Sequence, residues 1–158
     1  MKFKLTVLLF AVGVAGGADS QNKLGFWSRG QLQAFEKPLH EKVSGPRHNA
    51  SIDLADYGAS ATAIARREGN GVGEAHAQID DYFIVQSGEA ILVTGGAIAN
   101  AKETAPGETR GDSIEGGERR KLVTGDIVHI PAQLPHQLLV GDGKSFTYFI
   151  VKVKVEPR

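Results

Sequence analysis

The stretch "GEAHAQIDDYFIVQSG", residues 73–88, sets Glu74 and His76 two positions apart, then Asp80 and Asp81, just ahead of an alternating apolar run. On a β-strand alternate residues share a face, so Glu74 and His76 point the same way. By the same rule Asp81, Phe83 and Val85 form one face of the next run, and Tyr82, Ile84 and Gln86 the other. A second histidine, His136, stands in "GDIVHIPAQLPHQLLV", residues 125–140, at the head of a face with Leu138 and Val140. An imidazole among carboxylates suits two chemistries. It can hold a divalent metal through nitrogen and oxygen, or Glu74 and His76 can work as an acid/base pair in which the carboxylate orients the ring and holds its charge. A plain polar entry into a sheet is the third reading.

Other chemistries find little support. The chain has no cysteine, which excludes disulfides, thiol catalysis and thiolate metal sites. Its serines lack the nucleophile-elbow pattern. The glycines of "GNGVGEA", residues 69–75, are not followed by a helical stretch, so a phosphate loop is not expected. "RGD" at residues 110–112 is too short to carry weight, and "NAS" at residues 49–51 matters only where the host glycosylates. His129, His48 and His40 read as packed or solvated rather than as ligands. Phe83 and Tyr148 could line a pocket, yet aromatic residues on barrel strands are more often plain core.

These residues need strands to hold them. From Ala50 onward short β-rich runs ("SIDLAD", "SATAIARRE", "DYFIVQ", "EAILVTGGAIA", "RRKLV", "DIVHIP", "HQLLV", "SFTYFIVKVKV") alternate with turn residues, and 20 glycines fit many tight connections. No helix interrupts them in a βαβ rhythm, so the fold class is all-β, an antiparallel barrel or sandwich. Residues 100–120 are polar and glycine-rich, and are expected to leave the barrel as a long loop. Upstream, Leu32, Phe35, Leu39 and Val43 fall at helical spacing, an apolar stripe that needs a surface to cover. Pro38 should kink that helix or start a second one.

The first 18 residues carry Lys2 and Lys4, an apolar run shorter than the roughly 20 residues a bilayer crossing needs, and small residues at Gly16 and Ala18. They read as a cleaved secretory signal. The expected organisation is signal peptide over residues 1–18, an N-terminal helical segment over 19–49 and a barrel domain over 50–158. The expected location is periplasmic or secreted, with no membrane association after cleavage. Losing two lysines leaves a slightly acidic chain, without the concentrated basic surface that nucleic acid would require.

The two stretches together resemble the paired motifs of the cupin superfamily. The second has Gly125, five residues, Pro131, one residue, Gln133 at a position usually glycine, two residues, and His136. In the first, Asp81 is separated from Gly88 by six residues and stands where the family has a metal-binding glutamate, His76 takes the second histidine position, and Glu74 replaces the first. The resemblance spans roughly residues 51–155. It implies a double-stranded β-helix, a cupin-like jelly-roll barrel, with Glu74, His76, Asp81 and His136 converging inside it. Such a set suits a divalent metal ion, Fe(II), Mn(II), Zn(II) or Ni(II). The function it implies is metal-dependent chemistry on a small molecule, of oxygenase, isomerase or lyase type, or else small-molecule binding without metal or catalysis. A scaffold without pocket chemistry is the third class. Pairing of two copies through a sheet edge or the helix is a further expectation.

Overall fold

A computed structural model of the chain describes residues 24–43 and 48–156; the expected signal peptide lies outside them. Among the described residues two helices, α1 (Arg29–Ala34) and α2 (Glu36–Lys42), precede the strands. These are β1 (Asn49–Asp56), β2 (Ser60–Arg67), β3 (Gly73–His76), β4 (Ile79–Thr94), β5 (Ala97–Ile98), β6 (Lys102–Ala105), β7 (Glu108–Gly111), β8 (Ile114–Glu115), β9 (Glu118–Val123), β10 (Ile127–Ile130), β11 (His136–Leu139) and β12 (Phe146–Lys154). All strand pairings among the described residues are antiparallel, and the all-β expectation holds.

The fold turns on β4. Its first half pairs with β12 on one side and β10 on the other, and its second half with β11 and β9. One sheet therefore runs β1-β2-β12-β4-β10 and the other β9-β4-β11-β3-β7-β6, with β4 shared. The sequence reading divided β4 into two runs. The division falls at Gly88, whose φ of 79° lies in the left-handed region and whose Cβ, if present, would come within 1.9 Å of the Ser145 carbonyl oxygen. Only glycine permits that approach, and it lets a single strand pass from one sheet to the other. Phe83, Val85 and Tyr148 from the first sheet and Leu92, Leu122 and Leu138 from the second fill the space between. The phase expected for residues 81–86 is observed, with Asp81, Phe83 and Val85 buried.

The helical segment covers the outside of the first sheet. Ser28 and Gln31 form a reciprocal cap at the start of α1. The stripe breaks at Phe35, and Pro38 occupies the third position of α2, where its missing N–H costs no helical bond. Leu39 is fully buried against Ala50 and Ile64, with Leu32, Phe35 and Val43 around it. Glu36 fixes the orientation, accepting from Arg66 Nη1 at 2.6 Å and Thr147 Oγ1 at 2.9 Å, and also from Ser87.

Residues 100–120 differ from the expected loop. They form the β6–β7 hairpin, β8 and the start of β9, and β7 pairs with β3 over Gly73–His76. The segment gave no strand signal because β6 and β7 lie at the rim, where neither strand presents a buried apolar face.

Candidate functional site

Three cross-strand pairs place the site between the two sheets. His136 on β11 lies opposite Glu74 on β3, His76 on β3 lies opposite Glu108 on β7, and Asp81 on β4 lies opposite Lys152 on β12. Directly opposed side chains start about 5 Å apart, so the registers alone bring these groups into reach. The four residues expected from the sequence meet here. Single ligand atoms of Glu74, His76 and His136 all lie within 4.8 Å of one another. Asp81 Oδ2 sits 3.1 Å from His76 Nε2 and 3.8 Å from His136 Nε2.

Both imidazoles are held from behind. His76 Nδ1 donates to Glu108 Oε2 at 2.7 Å, and His136 Nδ1 donates to the Leu134 carbonyl at 3.1 Å. With the proton fixed on Nδ1, each neutral ring presents the lone pair of Nε2 to the centre. Both Nε2 atoms are buried and without an aligned hydrogen-bond partner among the described residues. A buried nitrogen left unpaired costs roughly 1–3 kcal/mol, and two aimed at one point beside two carboxylates is a donor set that a divalent cation satisfies. His76, His136 and Glu74 fit as ligands, with Asp81 Oδ2 as the adjoining oxygen.

The charges around this centre are mutually arranged. Burial works against a charge on His76, but the carboxylates of Asp81 and Glu108 outweigh it and push its pKa up to about 9. Burial likewise disfavours ionised Glu74, yet His136, His76 and Arg67 hold it well below the usual carboxylate range. Asp81 is also held low against its burial, by His76 and by Lys152, whose Nζ contacts Oδ1 at 2.7 Å. A proton thus stands on His76 in the metal-free protein where an ion would stand in the loaded one.

Glu74 was expected to serve as a catalytic partner of His76. Its near imidazole is instead His136, at 3.6 Å from Oε1, while the carboxylates on His76 are Asp81 and Glu108. The register is the reason: residues two apart on β3 share a face, but the opposed residues on β11 and β7 come closer than the next one along the strand. Of the other histidines, His129 is exposed, stacked on Tyr82 at 4.4 Å and bonded to Asp80; His40 pairs with Glu68; and exposed His48 sits at a turn.

Four further side chains around the centre escaped the sequence reading. Lys152 follows Tyr148 and Ile150 on the inward phase of β12, and Arg67 follows Ala63 and Ala65 on that of β2, so a charge at a core position was the available signal. Glu108 and Arg110 had none, because their place depends on the pairing of β7 with β3. The centre opens onto a chamber of about 80 Å³ bounded by Arg67, Phe83, Arg110 and Tyr148, and onto an outer one of about 380 Å³. His76, Arg110, Ile150 and Lys152 belong to the walls of both.

No protein-family model and no curated protein matches the sequence. Solved structures do match. A conserved protein with a double-stranded β-helix domain from Klebsiella pneumoniae is 14% identical, with 86% of this chain and 95% of that one covered at a TM-score of 0.56. An oxalate oxidase is 13% identical, with 74% and 56% covered at a TM-score of 0.51. A protein from Ralstonia eutropha named as a candidate mannose-6-phosphate isomerase is 18% identical, with 72% and 90% covered at 0.50. Fold and site together define a double-stranded β-helix with a histidine–carboxylate cluster between its sheets. This is the barrel that the two motifs implied, and the chain has the cupin fold.

Proposed function

We propose that the protein binds a divalent metal ion through Glu74, His76 and His136, with Asp81 beside them, and acts on a small molecule. The observation that carries this is the convergence of two buried Nε2 atoms, those of His76 and His136, on the carboxylates of Asp81 and Glu74. When bound, such an ion supplies Lewis-acid polarisation of a ligand oxygen, or oxygen chemistry if it is redox-active. The chain's own residues do the rest. Glu108 and the Leu134 carbonyl keep the rings in the ligating tautomer, Lys152 holds Asp81 ionised, and the apolar faces of Phe83 and Tyr148 keep water from the inner wall. Similarity to an oxalate oxidase and to a candidate sugar-phosphate isomerase supports a small-molecule reaction without selecting one. Small-molecule binding without catalysis is the second reading, supported by the outer chamber, which is large enough for a ligand.

We further propose a periplasmic or secreted location for the mature protein. Its support is the basic, apolar and small-residue order of the first 18 residues. Any pairing of two copies falls to a sheet edge rather than to the apolar stripe of the helix, which is already spent on the barrel. The test of the central proposal is elemental analysis of protein purified without a metal-binding tag, beside the His76→Ala/His136→Ala double variant. Near-stoichiometric iron, manganese, zinc or nickel in the first and none in the folded second is expected. A native protein that refuses every one of these ions overturns the proposal.

A further inference from the structure

Resting on the metal reading, we infer that the ligand of this site is an organic carboxylate with an apolar body, its carboxylate anchored by Arg110 and Arg67. The first observation is a charge balance. The partly or fully buried ionic groups around the centre are three cations, Arg67, Arg110 and Lys152, and three carboxylates, Glu74, Asp81 and Glu108. Asp53, Asp56 and Lys154 stand at the outer mouth, exposed, where water and salt screen them. A divalent ion added to walls whose own charges cancel leaves two positive charges in a sparsely hydrated space. A neutral ligand leaves that excess uncompensated, whereas an anion reduces it.

The second observation concerns Arg110. Its Nε is buried without a hydrogen-bond partner among the described residues, the Glu74 carboxylate facing it from 3.4 Å. Its guanidinium also lies 3.8 Å from Glu108, so neither acid makes a close paired contact with it. Among the described residues, the one side-chain hydrogen bond of Arg67 is donated to the Tyr148 hydroxyl, at 3.3 Å. Two guanidinium groups with unspent donors, both on the wall of the inner chamber, match the flat two-oxygen face of a carboxylate. The third observation is the shape beyond them. Arg110 is also part of the outer chamber, whose walls include Leu54, Ala61, Ala63, Ile79 and Ile150. A carboxylate held at Arg110 therefore has an apolar space of about 380 Å³ beside it for the rest of the molecule.

The experiment uses the mature chain loaded in turn with zinc(II) and manganese(II), its metal content measured before each titration. Hexanoate, benzoate, hexanamide and benzamide are then titrated by calorimetry. The expected result is binding of both acids at least tenfold tighter than of their amides. Arg110→Gln should lower acid affinity at least tenfold with metal content unchanged, and Ala61→Phe should weaken hexanoate while leaving acetate unaffected. Equal affinity for acids and amides in metal-loaded protein overturns this inference and leaves the metal proposal standing. Should neither ion be retained, the metal proposal fails and the charge argument fails with it, and the metal analysis tells the two failures apart.

Discussion

Glu108 is the residue whose role is most specific, because it meets the donor set only at the far side of His76, with Arg110 3.8 Å away as its other charged neighbour. A carboxylate behind a ligating imidazole fixes the ring and raises its basicity, and its loss typically costs 10–100-fold in metal affinity. Glu108→Gln should therefore lower metal affinity by about that factor in a chelator competition while the fold survives; an unchanged affinity would remove Glu108 from the site. His76 sets the pH dependence. Its folded pKa of about 9 lies above its ordinary 6.5, so the stabilisation from its charge is complete below about 6.5 and is lost as the pH rises through 9. That contribution is on the order of 3 kcal/mol. Asp81 acts in the opposite sense, its depressed pKa contributing stability that disappears as the pH falls toward acid. Urea unfolding of the metal-free protein should show weakening on both sides, and His76→Ala should flatten the alkaline limb. Because an ion displaces the His76 proton, uptake at pH 7.5 should release about one proton from this residue, read from the buffer dependence of the calorimetric enthalpy.

At the scale of elements, the turn before β11 stores strain. Gln133 has a φ of 71° at the position where the second motif usually has glycine, and its N–H donates to the His76 carbonyl at 2.7 Å, tying this turn to β3. A non-glycine residue there costs about 1 kcal/mol or more. Gln133→Gly should raise stability by about 1 kcal/mol in denaturant melts, and a loss instead would mean that the Gln133 side chain has a role of its own. Leu39 supplies the contrary case. Fully buried between α2 and the sheet, it should cost about 3 kcal/mol as Leu39→Ala, with metal content unchanged because the helix lies on the outside of the barrel. The helix and the main strands were legible because one-sided burial writes its period into the sequence. The β6–β7 hairpin was not, since its residues are polar on both faces and the β3 residues that β7 pairs with lie 32 or more positions upstream.

For the molecule as a whole, the shared strand β4 closes two sheets over one cavity, so the site exists only once distant registers are set. Four of its side chains could be placed from strand phase and motif spacing: Glu74, His76, Asp81 and His136. Arg67 and Lys152 left a faint trace as charges on core faces, and Glu108 and Arg110 left none. Local spacing says which way a residue points, but not which residue of another strand it will meet. That is why the 3.6 Å approach of Glu74 to His136 was not legible in the spacing of Glu74 and His76. The measurement that bears most directly on the account is X-ray absorption at the metal edge of zinc-loaded protein. Two imidazoles with carboxylate oxygen in the coordination shell, falling to one imidazole in His136→Ala, is the result expected. A shell of oxygen alone would contradict it.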